Sequence, residues 1–277
     1  MSRTVVAVTV TYRRPHLLRV CLAAILAQTP PPDRIVIIDN GGSDAAAAVT
    51  ASDRVEVIDA GQNLGPAGGY ARGIARALEA GATHVWTVDD DCVPEPDCLR
   101  ALLASTGAAA SPAAPEIRIP SQQTAGGDRG SPPSWNGTLF DAAVLRAVGG
   151  PRPAWFFWKE DIDLINRAAD AGFVVRHVAE ARVDHRVRRR DPGAARDWRL
   201  YYETRNALTY RTRVRRRTWK DVPIAWRNAF ATAWTIALHE PGKAASLSLW
   251  SKGVVDHLLH RLGKRVDPAA WSDGTRR

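Results

Sequence analysis

Apolar-rich runs occupy residues 4–10, 34–39, 54–59 and 83–88, and each stops at a polar cluster. Between them, at 15–28 and 66–80, apolar residues recur at helical spacing. Short apolar runs alternating with helices predict βαβα units, with parallel strands covered by helices. The polar strand ends are Thr11-Tyr12-Arg13-Arg14, Asp39-Asn40-Gly41-Gly42-Ser43-Asp44, Asp59 to Asn63 and Asp89-Asp90-Asp91. Ligands of such sheets bind beyond the carboxyl ends of the strands, so these four clusters predict one site.

The pattern then changes. Residues 104–134 are rich in Ala, Ser, Pro and Gly and predict an irregular excursion. After the aromatic run Trp155-Phe156-Phe157-Trp158, the spacing predicts a helix over 160–171, ended by Gly172, and a strand over 173–176. Two amphipathic helices are expected near 222–239 and 246–262; Trp226, Phe230 and Trp234 share one helical face. No internal repeat is visible. A catalytic domain over 1–210 followed by a basic helical segment over 211–277 is the expected organisation.

Charge sharpens that division. The 277 residues carry a net charge of +9, but residues 181–277 alone carry +13 and residues 1–180 carry −4. Arg186-Val187-Arg188-Arg189-Arg190 and the run from Arg211 to Arg217 supply much of it. A solvated surface is the ordinary outcome, and an anionic membrane or phosphorylated substrate is the functional one. The high pI also suggests nucleic-acid binding, but the charge sits at one end, no recognised module is present, and the acidic clusters would repel a phosphate backbone. Three cysteines without a CxxC pair imply neither a disulfide framework nor a zinc site. With no leader and no spanning stretch, a cytoplasmic protein is expected, peripheral at most to the membrane.

Asp89-Asp90-Asp91 is the strongest chemical signal. Three adjacent carboxylates repel one another and call for a compensating cation; hard oxygen ligands suit Mg²⁺ or Mn²⁺. Between Asn63 and Gly73, Gly65, Gly68, Gly69 and Gly73 fit either close approach of a phosphate to a helix N-terminus or tight helix–sheet packing. The spacing is neither GxGxxG nor a P-loop. Glu160-Asp161-Ile162-Asp163 opens a helix, where acids are ordinary dipole partners; beside an aromatic run, one of them can also serve as a general base.

The ordered set Val8-Thr9-Val10-Thr11-Tyr12, Asp39-Asn40, Asn63-Leu64-Gly65, Asp89-Asp90-Asp91, Glu160-Asp161-Ile162-Asp163 and His185 resembles family 2 inverting glycosyltransferases of the GT-A fold. The similarity is to the bacterial galactofuranosyl- and rhamnosyltransferase branch, whose aromatic–Arg-Asn signature is matched by Trp198 to Asn206. It implies a mostly parallel α/β sheet flanked by helices, with a C-terminal helical appendage. It also implies roles. Thr11, Tyr12, Asp39, Asn63, Gly65, Arg72, Asp89 and Asp90 would bind the nucleotide-diphosphate sugar. Asp89, Asp91 and His185 would hold Mn²⁺ or Mg²⁺, and Asp161 would be the catalytic base. Trp135, Asn136, Trp158, Glu160, Tyr202, Arg205 and Asn206 would meet donor or acceptor sugar. The full triplet favours a galactofuranose-like donor over a rhamnose-like one, and the absence of long extra domains favours adding one or few sugars. The acceptor would be a glycan, a polyprenyl-linked sugar or a small molecule, in envelope or specialised-metabolite synthesis.

Overall fold

The computed structural model describes residues 3–42, 45, 49, 52–105, 114–124, 127–128, 130, 132–186, 197–215 and 218–271. Ser43 and Asp44, parts of 104–134, and residues 187–190 and 216–217 of the basic runs lie outside this set. The chain divides into two compact units, Met1–Arg152 with Asp161–Arg188, and Pro153–Glu160 with Arg189–Arg277.

The first unit is built on one sheet. Its strands are β1 (Val5–Thr11), β2 (Arg34–Asp39), β3 (Val55–Asp59), β4 (His84–Thr87), β5 (Cys92–Pro94), β6 (Glu116–Thr124), β7 (Gly127–Asp128), β8 (Leu139–Asp141) and β9 (Val174–His185). Their order is β3-β2-β1-β4-β8-β6-β9-β5, with β7 paired to β6. The four strands expected from the apolar runs are parallel neighbours. Beyond β4 the sheet is mixed: β8 is antiparallel to β4 and β6, while β6 and β9 are parallel.

Helices α1 (Pro15–Leu26), α2 (Gly65–Glu79), α3 (Cys98–Ala104), α4 (Ala142–Val148) and α5 (Glu160–Asp170) accompany this sheet. Alternate residues of β1 face opposite sides, as strand geometry requires. Val5 and Ala7 join Leu18, Leu22 and Leu99 in one core; Val6, Val8 and Val10 join Tyr70, Ile74 and Leu164 in another. Burial on both faces explains why these strands read as continuous apolar runs. The three cysteines are buried and free.

Two glycines of α2 resolve the choice left open by the sequence. A Cβ at Gly73 would lie 2.4 Å from Val8 Cγ1, and one at Gly69 would lie 2.6 Å from Val10 Cγ1. They serve close packing of α2 on β1. Only Gly65, with φ of +67°, needs glycine for its backbone.

Residues 104–134 depart from the expected irregular excursion. Glu116–Thr124 forms β6, held between β8 and β9 by a buried ion network. Arg118 Nε donates to Glu116 Oε1 at 2.9 Å and Nη1 donates to Asp141 Oδ1 at 2.8 Å. Arg176 of β9 donates to the second Glu116 oxygen at 2.9 Å. Polar residues at strand-core positions hid β6 from an apolar-pattern reading. The strand expected at 173–176 likewise continues to His185.

The second unit contains α6 (Arg199–Thr209), α7 (Asp221–His239) and α8 (Lys243–Leu258). Among the described residues, no helix is long and apolar enough to cross a membrane. The core of this unit gathers Leu200, Tyr201, Tyr202, Ile236 and Leu249. Helix α7 buries only Ala225 and Ile236; Phe230 and Trp234 are 57% and 68% exposed.

His257 of α8 ties this unit to pH. Thr209 Oγ1 donates to Arg205 O at 2.8 Å, so its lone pair accepts from His257 Nδ1 at 3.0 Å. Burial, with help from Arg213 and His260, pushes His257 down to about 4. The unfolded chain takes up that proton near pH 6.5 and the folded protein only near 4, so stability falls as pH drops through this window. The melting temperature of His257→Gln is expected to fall less steeply than wild type between those two pH values. Identical slopes would show that this histidine does not contribute.

Candidate functional site

Strand register assembles the site. Thr11 pairs with Asp39 and Asp39 with Asp59, so three strand ends lie level along one sheet edge. Thr87 pairs with Val8, which carries the following acids to the same edge. Asp39, 2% exposed, accepts from Gly41 N at 2.7 Å and Ala45 N at 3.0 Å, and so shapes its own loop. Asn40 donates to Gly65 O at 3.1 Å, and Asn63 Oδ1 accepts from Gly65 N at 2.9 Å. The β2 end and the start of α2 are thereby fixed to each other. Tyr12 and Asn63 are half-buried at this edge, and Arg72 is exposed on α2.

The three acids have three different surroundings. Asp89 Oδ1 accepts from Tyr70 Oη at 2.7 Å. Asp90 is fully buried and accepts from Thr11 Oγ1 at 2.7 Å and Arg14 Nε at 3.1 Å. Asp91 accepts from Arg14 Nη1 at 3.0 Å and faces His185 Nε2 at 3.4 Å. Burial pushes Asp89 up to about 6, aided by the Asp91 charge, and Asp90 up to about 7 against the pull of Arg14. Burial opposes ionisation of Asp91 as well, but His185 and Arg14 hold it below the usual carboxylate range. The cation that the triplet calls for is thus partly present in Arg14, which the sequence reading did not single out.

His185 reaches this place because β9 runs antiparallel to β5, pairing His185 with Cys92. Asn136 Nδ2 contacts His185 Nδ1 at 3.0 Å and donates to Gln122 Oε1 at 3.1 Å. Asn136 and Gln122 are 4% and 2% exposed; they orient the imidazole and meet no sugar. Trp135, expected to stack on a sugar, is 2% exposed and lies against Tyr70 with ring centroids 4.4 Å apart.

The donor set fits a hard divalent ion. Asp91, Cys92 and His185 bring ligand atoms within 4.8 Å of one another. Burial pushes the Cys92 thiol well up, and thiolate sulfur is in any case a soft donor that selects metals other than Mg²⁺ or Mn²⁺. That leaves the Asp91 carboxylate, which suits Mg²⁺ or Mn²⁺, and the His185 imidazole, a common metal ligand. Of the expected trio, Asp91 and His185 are brought together, while Asp89 is engaged by Tyr70.

In the second unit, the run before Asp161 is bent sharply. Phe156, Trp158 and Lys159 have φ of +63°, +74° and +84°, costly for residues with side chains. Asn206 offsets this: its Nδ2 lies 3.0, 2.6 and 3.0 Å from the carbonyls of Trp155, Phe157 and Trp158. Arg205 Nη2 donates to Trp155 O at 3.0 Å, and its guanidinium lies over Tyr201 and Tyr202. Tyr202, Arg205 and Asn206 are fully buried, and Glu160 is 4% exposed. Arg205 and Asn206 hold the loop, and none of the four presents a surface to a sugar, contrary to expectation. Trp158, 42% exposed, does present one. Asp161 is half-buried at the start of α5, with Oδ1 accepting from Ile162 N at 2.6 Å. Asp163 faces inward, bound to Arg167 Nε at 3.1 Å.

Comparison with known proteins agrees with this geometry. The glycosyl transferase family 2 model matches residues 6–140. The galactofuranosyltransferase GlfT1 of Mycobacterium tuberculosis is 31% identical over 202 residues, covering 62% of this chain and 66% of that protein. GlfT1 of Mycolicibacterium smegmatis is 30% identical, with 62% and 67% covered. The chain therefore spans about two thirds of the length of these relatives. A mannosyltransferase from Pyrobaculum calidifontis, solved with GDP-Man and Mn²⁺, shares the fold at 15% identity, with a TM-score of 0.60 over 94% of this chain and 89% of that one. By fold, by strand-end chemistry and by sequence, the chain belongs to glycosyl transferase family 2, among its galactofuranosyltransferase-like members.

Proposed function

We propose that this chain is a metal-dependent, inverting glycosyltransferase acting in cell-envelope polysaccharide or glycolipid synthesis. Its donor would be a nucleotide-diphosphate sugar, galactofuranose-like before rhamnose-like, and its acceptor a sugar hydroxyl. The supporting observation is the meeting of Asp91 and His185, 94 positions apart in sequence, at the edge where the polar strand ends converge. Asp91 and His185 would hold Mn²⁺ or Mg²⁺, which supplies charge neutralisation for the leaving diphosphate. Tyr12 and Asn63, half-buried at that edge, would border the donor site, while buried Thr11 and Asp39 would shape it from behind. Asp161 takes the acceptor proton while the acceptor oxygen attacks the anomeric carbon from the face opposite the diphosphate. A single displacement inverts the configuration and requires no second carboxylate as nucleophile.

The transferase domain would extend to about residue 210, because Arg205 and Asn206 hold the loop that leads into Asp161. Titration against a panel of UDP- and dTDP-sugars with Mn²⁺ tests the central reading. Binding of at least one donor, weakened in Asp91→Asn, is expected; no binding by any donor overturns it.

The exposed Trp219, Phe230 and Trp234, with Arg211, Arg213, Lys220 and Arg227 nearby in sequence, suit the surface of an anionic membrane carrying a lipid-linked acceptor. Flotation with anionic vesicles should carry the protein upward in low salt. Failure to float in any salt would remove the membrane from the proposal.

A further inference from the structure

The polar strand β6 starts a chain of hydrogen bonds that ends on His185. Register pairs Gln122 of β6 with Val183 of β9, two residues before the histidine. The Gln122 amide can point only one way. Its Nε2 donates to Pro132 O at 3.3 Å and to Ser134 Oγ, and a carbonyl only accepts. Gln122 Oε1 is therefore the atom that meets Asn136 at 3.1 Å, and the Asn136 atom there must be its nitrogen. The same Nδ2 lies 3.0 Å from His185 Nδ1, with one hydrogen for each partner. His185 Nδ1 must then accept. That puts the proton of the neutral imidazole on Nε2, which faces Asp91 Oδ1 at 3.4 Å. Through two buried amides, a main-chain carbonyl selects the tautomer of His185.

This tautomer is the wrong one for holding a cation. Ligation through Nε2 needs that nitrogen's lone pair, and here Nε2 carries a hydrogen directed at Asp91. Asn136 also contains the alternative. Its Oδ1 is buried and has no hydrogen-bond partner among the described residues, which costs free energy. Its backbone is fixed, because Gly137 N donates to Thr87 O at 2.9 Å and Trp86 Nε1 donates to Gly137 O at 2.9 Å. Rotation of the amide about its last bond remains. It exchanges two groups of nearly equal size and brings Oδ1 to face Nδ1, where it would accept from an Nδ1–H. In that exchange the Nε2–H bond breaks, its proton goes to solvent, and another proton is taken up at Nδ1. The ring stays neutral, and its 19% exposure gives it the access to water that the exchange needs.

We propose that Asn136 is a positioning residue that switches His185 between two partners. With Nδ2 toward the ring, His185 is tied to Asp91 and the pair is closed to a cation. With Oδ1 toward the ring, Nε2 is free to ligate. Gln122 and Pro132 bias the first state, so metal affinity depends on residues that never touch the metal. The proposal rests on the metal-dependent reading of the site and deepens it.

The test uses the full chain, long-range proton–nitrogen NMR of its histidines, and Mn²⁺ titration followed by electron paramagnetic resonance. The signal lost in His185→Gln assigns that ring among the seven histidines. Metal-free wild type should show His185 with Nε2–H and a bare Nδ1. Asn136→Asp puts a carboxylate beside Nδ1; it should show Nδ1–H and bind Mn²⁺ about tenfold tighter. Gln122→Met keeps Asn136 and adds no charge; it should show both tautomers and bind Mn²⁺ severalfold tighter. If the two amides merely hold the ring in place, the sign is opposite: both variants bind Mn²⁺ more weakly and keep the wild-type tautomer. Either of those results overturns the switch, and so does Nδ1–H in metal-free wild type. The wild-type spectrum decides even where a variant does not fold. Failure of wild-type protein to bind Mn²⁺ would instead overturn the metal reading beneath the proposal.

Discussion

Asp161→Asn is expected to bind donor and metal as wild type does, yet to transfer sugar about 10²–10⁴ times more slowly. The substitution is nearly isosteric. The asparagine Oδ1 can keep the bond from Ile162 N at 2.6 Å, so the first turn of α5 should survive. What disappears is the basic oxygen that would accept the acceptor proton. Among the described residues, the acid next on α5 is not placed to substitute: Asp163 is 1% exposed and occupied by Arg152 and Arg167. Glu160 is buried in turn. Single-turnover transfer beside a donor titration separates the two effects. Wild-type transfer by the variant would remove Asp161 from the role of base. Equal loss of donor binding and transfer would place Asp161 in donor recognition.

The largest effect on stability should come from a residue remote from any chemistry. Arg118 on β6 is 2% exposed and bridges Glu116, itself 2% exposed, to Asp141. Arg118→Ala leaves a buried carboxylate without its main partner, a change that costs about 3–5 kcal/mol. For a domain of this size, that lowers the melting temperature by roughly 6–20 °C. Arg176 remains on the other Glu116 oxygen and limits the damage to that range. Combining Arg118→Met with Glu116→Gln should recover much of the loss, because a neutral pair needs no compensating charge. A shift of less than about 2 °C in Arg118→Ala would mean that β6 opens to water at this point.

Half of the molecule was legible in the sequence, and the physical reason is burial. Strands β1, β2 and β4 are covered on both faces, so they read as apolar runs, and Pro15 marked the start of α1. The level strand ends of Thr11, Asp39 and Asp59 follow from those runs and from parallel pairing. Strand β6 was hidden because its core positions include Glu116, Arg118 and Gln122, satisfied by partners that no local pattern shows. Arg14 was hidden for a related reason: only the fold brings it to acids more than seventy positions away. The signature residues Arg205 and Asn206 were recognisable as important, but motif and burial carry different information. Polar residues conspicuous in a sequence suggested contact with a ligand, whereas their hydrogen bonds go to carbonyls of the chain itself.

Close packing between α2 and β1 restricts how this protein can change over generations. Val8 and Gly73 occupy a single shared space, as do Val10 and Gly69. Alanine at Gly73 should be tolerated only in a background where Val8 has already become smaller, so the order in which two substitutions arise decides whether either persists. Tyr70, between the two glycines on α2, holds Asp89, so a lineage that crosses this step in the wrong order disturbs the acid cluster as well. Selection for sugar transfer would then maintain residues that never approach a sugar.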